Sequence, residues 1–147
     1  MTNASIGTMF TRSATLTLLA ALALAATGAR AADWPTFKPG RWQYDRSIDG
    51  MGPKPQKVSR TECGDPTANH KTQQAQLTQA GCQFTPITQS GSTYQYAASC
   101  KVAGMTSQSR STLVVQGAEA YTLTVDSSSA EMKTHEVLLA RRLGDCP

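Results

Sequence analysis

The chain has 147 residues, with 14 Lys and Arg against 10 Asp and Glu and a formal net charge of +4. That length bounds it to about one domain with a real core. The basic residues are scattered rather than striped, which speaks against nucleic-acid binding.

Met1 to Arg12 is polar with one positive charge, and Ala14 to Ala26 is a short apolar run. Ala29-Arg30-Ala31 then offers a small-x-small site. Together these features read as a secretory signal peptide over 1–31, cleaved after Ala31. The run is shorter than the roughly 20 residues a membrane span needs. The absence of a cysteine just beyond the site and of a twin arginine before the run argues against a lipid anchor and against folded export. Losing Arg12 and Arg30 leaves 12 basic against 10 acidic side chains, a net of +2. The expected mature protein is a single disulfide-stapled β domain over 32–147. It is expected to be bacterial, periplasmic or secreted, with no apolar run left to span a membrane.

Pro39-Gly40 opens the first strand, where Trp42, Tyr44 and Ile48 alternate with polar positions. Such a period of two marks a strand with one buried face. Asp49-Gly50-Met51-Gly52-Pro53 is a turn cluster. Lys57 to Cys63 reads as a short strand. Asp65-Pro66 has the residues to cap and start a short helix. The polar stretch Thr67 to Ala80 is expected to be a loop with one or two helical turns.

Gly81 to Cys100 reads as a β-hairpin. Tyr94, Tyr96, Ala98 and Cys100 share one parity, and Cys82 and Phe84 form the matching face. A three-residue loop at 90–92 sets Phe84 opposite Ala98 and Cys82 opposite Cys100, because a slip of one residue exposes one face. Pro86 cannot donate to the ladder and signals an edge or a bulge. Beyond Gly104, strands are expected over Met105 to Gln116, around Tyr121, Leu123 and Val125, and over Met132 to Arg142. The turns between them fall at 117–119 and 127–129. Strands at short, regular spacing indicate an all-β fold, an antiparallel meander of about six or seven strands forming a sandwich or partly closed barrel.

Four cysteines, Cys63, Cys82, Cys100 and Cys146, in a small exported chain read as two disulfides. No Cys-x-x-Cys supports zinc. The register favours Cys82–Cys100 with Cys63–Cys146. Directly opposed strand residues, however, hold their Cβ atoms about 4.5–5.5 Å apart against the roughly 3.8 Å of a disulfide. The loop after Cys63 also needs a tether. The preferred pairing is therefore 63–82 with 100–146.

The Pro39-Gly40-Arg41-Trp42 start, the four spaced cysteines and the Arg142-Leu143-Gly144-Asp145-Cys146 end together resemble DUF3617, a family of small exported bacterial proteins known only as a domain of unknown function. The chain departs from the family pattern at Gln43, where members commonly carry an acid, and at Gly64, where they carry Leu. The resemblance implies secretion and a β-rich fold, and it implies no catalytic residues.

Chemistry-bearing residues are sparse. His70 falls in the polar loop and His135 in the last strand, without a metal-ligand neighbour at ligand spacing, so both read as isolated surface histidines. Met51, Met105 and Met132 are too separated to suggest a soft-metal site. Asp45 and Asp49 read as solvated carboxylates beside a turn. Serines abound without a Gly-x-Ser-x-Gly elbow or a partnered histidine. Trp42, Tyr94 and Tyr96 are expected in the core. No cofactor, metal or catalytic residue is expected. The sequence points to a non-catalytic module that binds a small apolar ligand or an envelope partner in a cavity beside Tyr94 and Tyr96. The alternative is a structural or stress-related envelope protein acting through protein contacts at a free strand edge or apolar patch.

Overall fold

The computed structural model describes residues 30–147; the apolar run of the expected signal peptide lies outside them. The described elements are β1 (Arg30–Ala31), β2 (Gly40–Asp49), β3 (Gln56–Gly64), α1 (Pro66–Gln79), β4 (Cys82–Phe84), β5 (Thr88–Ser90), β6 (Thr93–Val102), β7 (Met105–Val115), β8 (Ala120–Ser129) and β9 (Lys133–Gly144). The nine strands form one antiparallel sheet in the order β1-β5-β6-β7-β8-β9-β2-β3, with β4 also on β6. The sheet stays open, with β1 and β3 at its edges. The fold is all-β with one helix, and it has more strands than the expected six or seven.

Alternation decides the faces. Tyr94, Leu113, Leu123, Leu138 and Arg46 lie opposite one another across five strands. The next row is Tyr96, Ser111, Val125, Glu136 and Ile48. These rows belong to the inner face. There Phe37, Trp42, Tyr44, Leu113, Tyr121, Leu123, Leu138 and Ala140 form the core. Trp42 is fully buried, and its indole Nε1 donates to Lys38 O at 3.1 Å.

The hairpin register holds for Cys82↔Cys100 and Phe84↔Ala98. Its turn is nevertheless shorter than expected. Ser90 pairs with Thr93, leaving only Gly91 and Ser92 in the loop, with Gly91 at φ 59°. A glycine at the first central position fits a two-residue II′ turn. The odd residue that the alternation demands lies instead in the stretch Thr85-Pro86-Ile87 between β4 and β5, where Pro86 interrupts the ladder although Thr85 N still donates to Ala97 O at 2.9 Å. The turn expected at 127–129 is also displaced, because β8 runs on to Ser129.

The largest departure is α1. A helix of 14 residues replaces the expected loop, capped by Asp65 Oδ1, which accepts from Thr67 N at 2.9 Å and Ala68 N at 3.3 Å. Its buried residues are Pro66 and His70, and Gln74 and Leu77 follow on the same face at the cavity, a helical spacing with little apolar content. Thr67 ties the helix to the chain before β2: Phe37 N donates to its Oγ1 at 2.8 Å, and Oγ1 donates to Pro35 O at 3.1 Å.

The disulfides are Cys63–Cys146 and Cys82–Cys100, so the preferred 63–82 and 100–146 pairing is corrected. Lys101 N donates to Gly81 O just outside Cys82↔Cys100. That bond marks a non-hydrogen-bonded antiparallel pair, the class whose side chains approach closest. The Cα atoms stand 3.9 Å apart. The Cβ separation of about 4.5–5.5 Å spans both classes of strand pair, and this pair belongs to the closer one.

Candidate functional site

Between α1 and the inner face lies a cavity of about 540 Å³. Trp34, His70, Gln74 and Leu77 line one side of it, and Tyr44, Tyr96, Ser111, Tyr121 and Leu123 the other. Tyr94 packs against the core instead. Trp34 is held by its Nε1, which donates to Gln74 Oε1 at 2.9 Å, and its ring stacks on His70 with centroids 4.8 Å apart. Tyr121 meets the His70 ring edge-on at 5.4 Å.

His70 is thus not a surface residue in a loop. It is buried on α1 and its Nε2 has no hydrogen-bond partner. Burial lowers its pKa to about 4, so the imidazole is neutral at physiological pH. Burial likewise raises the phenols of Tyr44, Tyr96 and Tyr121. Nearby Glu62 adds to the shift of Tyr44, and the facing Tyr44 adds to that of Tyr121. A hydrogen bond from Ser111 partly offsets the shift of Tyr96.

Charges in the lining come in opposed pairs. Arg46 Nε is 3.0 Å from Glu136 Oε1, and the Arg60 guanidinium is 3.6 Å from Glu62 while lying over the Tyr44 ring at 5.4 Å. The cavity therefore presents aromatic faces, neutral hydroxyls and one neutral imidazole. Such a lining suits an uncharged, largely apolar molecule with a few polar groups.

A second, larger cleft of about 910 Å³ is bordered by Asp49, Phe84, Arg110, Asp126, Lys133 and His135. Here the sheet brings together residues that the sequence kept apart. His135 Nδ1 lies 2.7 Å from Asp126 Oδ1, on adjacent strands. Both side chains are about half exposed or more, so water screens whatever charge they hold. Asp45 and Asp49 do not form a pair. Four residues apart on one strand, they stand roughly 13 Å apart. Asp45 instead accepts from Ser59 Oγ at 2.5 Å and from Gln43 Nε2 at 3.1 Å, which lowers its pKa. Among the described residues, no group of three or more His, Cys, Asp or Glu could hold a metal.

The profile of a protein of unknown function, DUF3617, matches residues 37–146. The chain belongs to the DUF3617 family. No curated protein and no solved structure matches it. The matched span runs from Phe37, which packs against Trp42 and Tyr121, to Cys146. It thus contains both disulfides and all of α1. Trp34 lies outside it.

Sequence reasoning missed His70 because it read the segment as a loop. The signal was present: Asp65 at a cap, with 66, 70, 74 and 77 at helical spacing.

Proposed function

We propose that this DUF3617 protein is an exported, non-catalytic binding module whose inner cavity holds a small, uncharged, largely apolar molecule. The observation that carries the reading is the 540 Å³ cavity with its aromatic walls and the unpartnered, buried His70 Nε2. A histidine held near pKa 4 is a poor general base at neutral pH, since effective bases titrate near the working pH. Export to the periplasm is supported by the signal-like residues 1–31 and by two disulfides, which persist in oxidising compartments.

Native mass spectrometry of protein recovered gently from the periplasm, without reduction, tests the reading. The expected result is an extra mass that leaves on unfolding and that is missing from a folded Ser111→Phe variant, whose added ring occupies the inner cavity. A bare mass for the parent, unchanged by incubation with aromatic fragments, defeats it.

One observation favours the alternative of action through protein contacts. The nine residues of β3 form a free edge of the sheet, and unpaired edge strands template pairing with other chains. In-cell crosslinking from an exposed β3 position such as Val58 tests it, and the absence of any adduct counts against it.

A further inference from the structure

Three hairpin turns gather at one end of the sheet: β2–β3, β6–β7 and β8–β9. The registers show this directly, since Asp49 pairs with His135 and Ser107 pairs with Ser129. Met51, Met105 and Met132, each in or beside one of these turns, are 51%, 69% and 46% exposed. Val102, which pairs with Met105, is 46% exposed. The first and last of these turns touch, because a Cβ added to Gly50 would collide with the Lys133 carbonyl. Half of the exposed large apolar side chains of the described residues therefore sit on one rim.

The charge on that rim is uneven. Lys54, Lys57, Lys101, Arg110 and Lys133 are exposed there, against the acids Asp49, Asp126 and Glu131, of which Asp126 is paired with His135. None of the four lysines forms an ion pair among the described residues.

We propose that this rim docks reversibly on an anionic lipid bilayer. Exposed Met and Val are apolar groups that gain by entering the boundary between headgroups and acyl chains. Unpaired lysines keep their ammonium groups in the headgroup layer while their stems lie along apolar surface. Each lysine near an anionic surface strengthens binding about five-fold, and salt weakens that contribution. Exposed methionines also suit adaptable protein surfaces, but the unpaired lysines beside them favour an anionic bilayer. A bilayer requires only apolar tips and positive charge. The inference stands apart from the cavity and holds whether or not the cavity binds a ligand.

Flotation of the mature protein with lipid vesicles is the test. Vesicles of phosphatidylethanolamine with about one quarter phosphatidylglycerol should carry the protein at low salt, and pure phosphatidylcholine should not. Joint Met51→Ser, Met105→Ser and Met132→Ser should weaken flotation at least ten-fold without moving the melting temperature. Lys101→Glu with Lys133→Glu should weaken it by a similar factor and remove its salt dependence. Leu143→Ser, at the opposite end, should change nothing. No flotation with anionic vesicles, equal flotation with neutral ones, or full binding by the methionine variant overturns the proposal. Dimerisation through the rim without flotation, seen by analytical ultracentrifugation, assigns the patch to a second copy and overturns it as well.

Discussion

Where β2 begins and β9 ends, four charged side chains engage one another. Lys38 and Arg142 share Glu119, Arg142 also pairs with Asp145, and its Nε donates to Pro39 O at 2.9 Å. The Arg142 side chain is only 7% exposed. The aromatic core around Trp42, Phe37 and Tyr121 lies close by. At the other end of the same strands the tips carry methionine and unpaired lysine. Each end has one disulfide: Cys63–Cys146 at the braced end, and Cys82–Cys100 towards the tips. One sheet thus has an end where Arg142, Lys38, Glu119 and Asp145 are linked, and an end whose four lysines form no ion pair among the described residues. The contrast teaches that the buried aromatic core and the linked Arg142 cluster lie towards one end of the sheet, and the exposed methionines at the other.

The sharpest way to break this contrast is to remove the disulfides one at a time. The separations are 83 residues for Cys63–Cys146 and 18 for Cys82–Cys100. In the chain-entropy model the longer loop contributes about 4–5 kcal/mol and the shorter about 3. Denaturant unfolding of Cys63→Ser/Cys146→Ser should therefore show the greater loss, and the reverse order would place the main restraint at the tips. Next comes acid. The pKa of His70 is about 4 in the fold against 6.5 in a free chain, so the unfolded state binds more protons between those values. Stability is complete above pH 6.5 and falls as the pH drops towards 4, by up to about 3 kcal/mol. His70→Phe should flatten that slope, whereas an unchanged slope would mean that another group carries it. The smallest effect is at the tips. Ala103 has φ 50° beside Gly104 at φ 81°, both left-handed as in a two-residue I′ turn. Ala103→Asn should stabilise the fold by about 0.5–1 kcal/mol, since Asn tolerates that region better than Ala. A loss of stability in thermal melts would show that the tip is already optimal.

Much of the sheet was legible because alternation is a local signal. Trp42 and Tyr44, Tyr94 to Cys100, and Tyr121 to Val125 each declare a face within a few residues. The helix was not legible as a helix because a sheet covers it. Its buried positions need not be apolar when His70 can stack on Trp34 and Gln74 can accept from the Trp34 indole. Cysteine pairing escaped because it depends on which of two classes of strand pair Cys82↔Cys100 falls into, and that follows from the loop length and the Pro86 break together. The gathering of Met51, Met105 and Met132 escaped because it is a property of register. Residues far apart in the chain become neighbours when hairpins end at the same height.

The two disulfides are nested, with Cys82–Cys100 inside the span of Cys63–Cys146. On the export route proposed above, a chain threaded through a membrane from its N-terminus would expose Cys63 first, then Cys82, and residue 146 only much later. For most of that passage, the native partner of the first thiol is still on the other side. An oxidant that joins thiols in order of arrival makes Cys63–Cys82, a bond the finished sheet does not contain. On the proposed export route, reaching the native pattern would mean breaking a bond already made, and maturation would then call for a shuffling catalyst as well as an oxidising one.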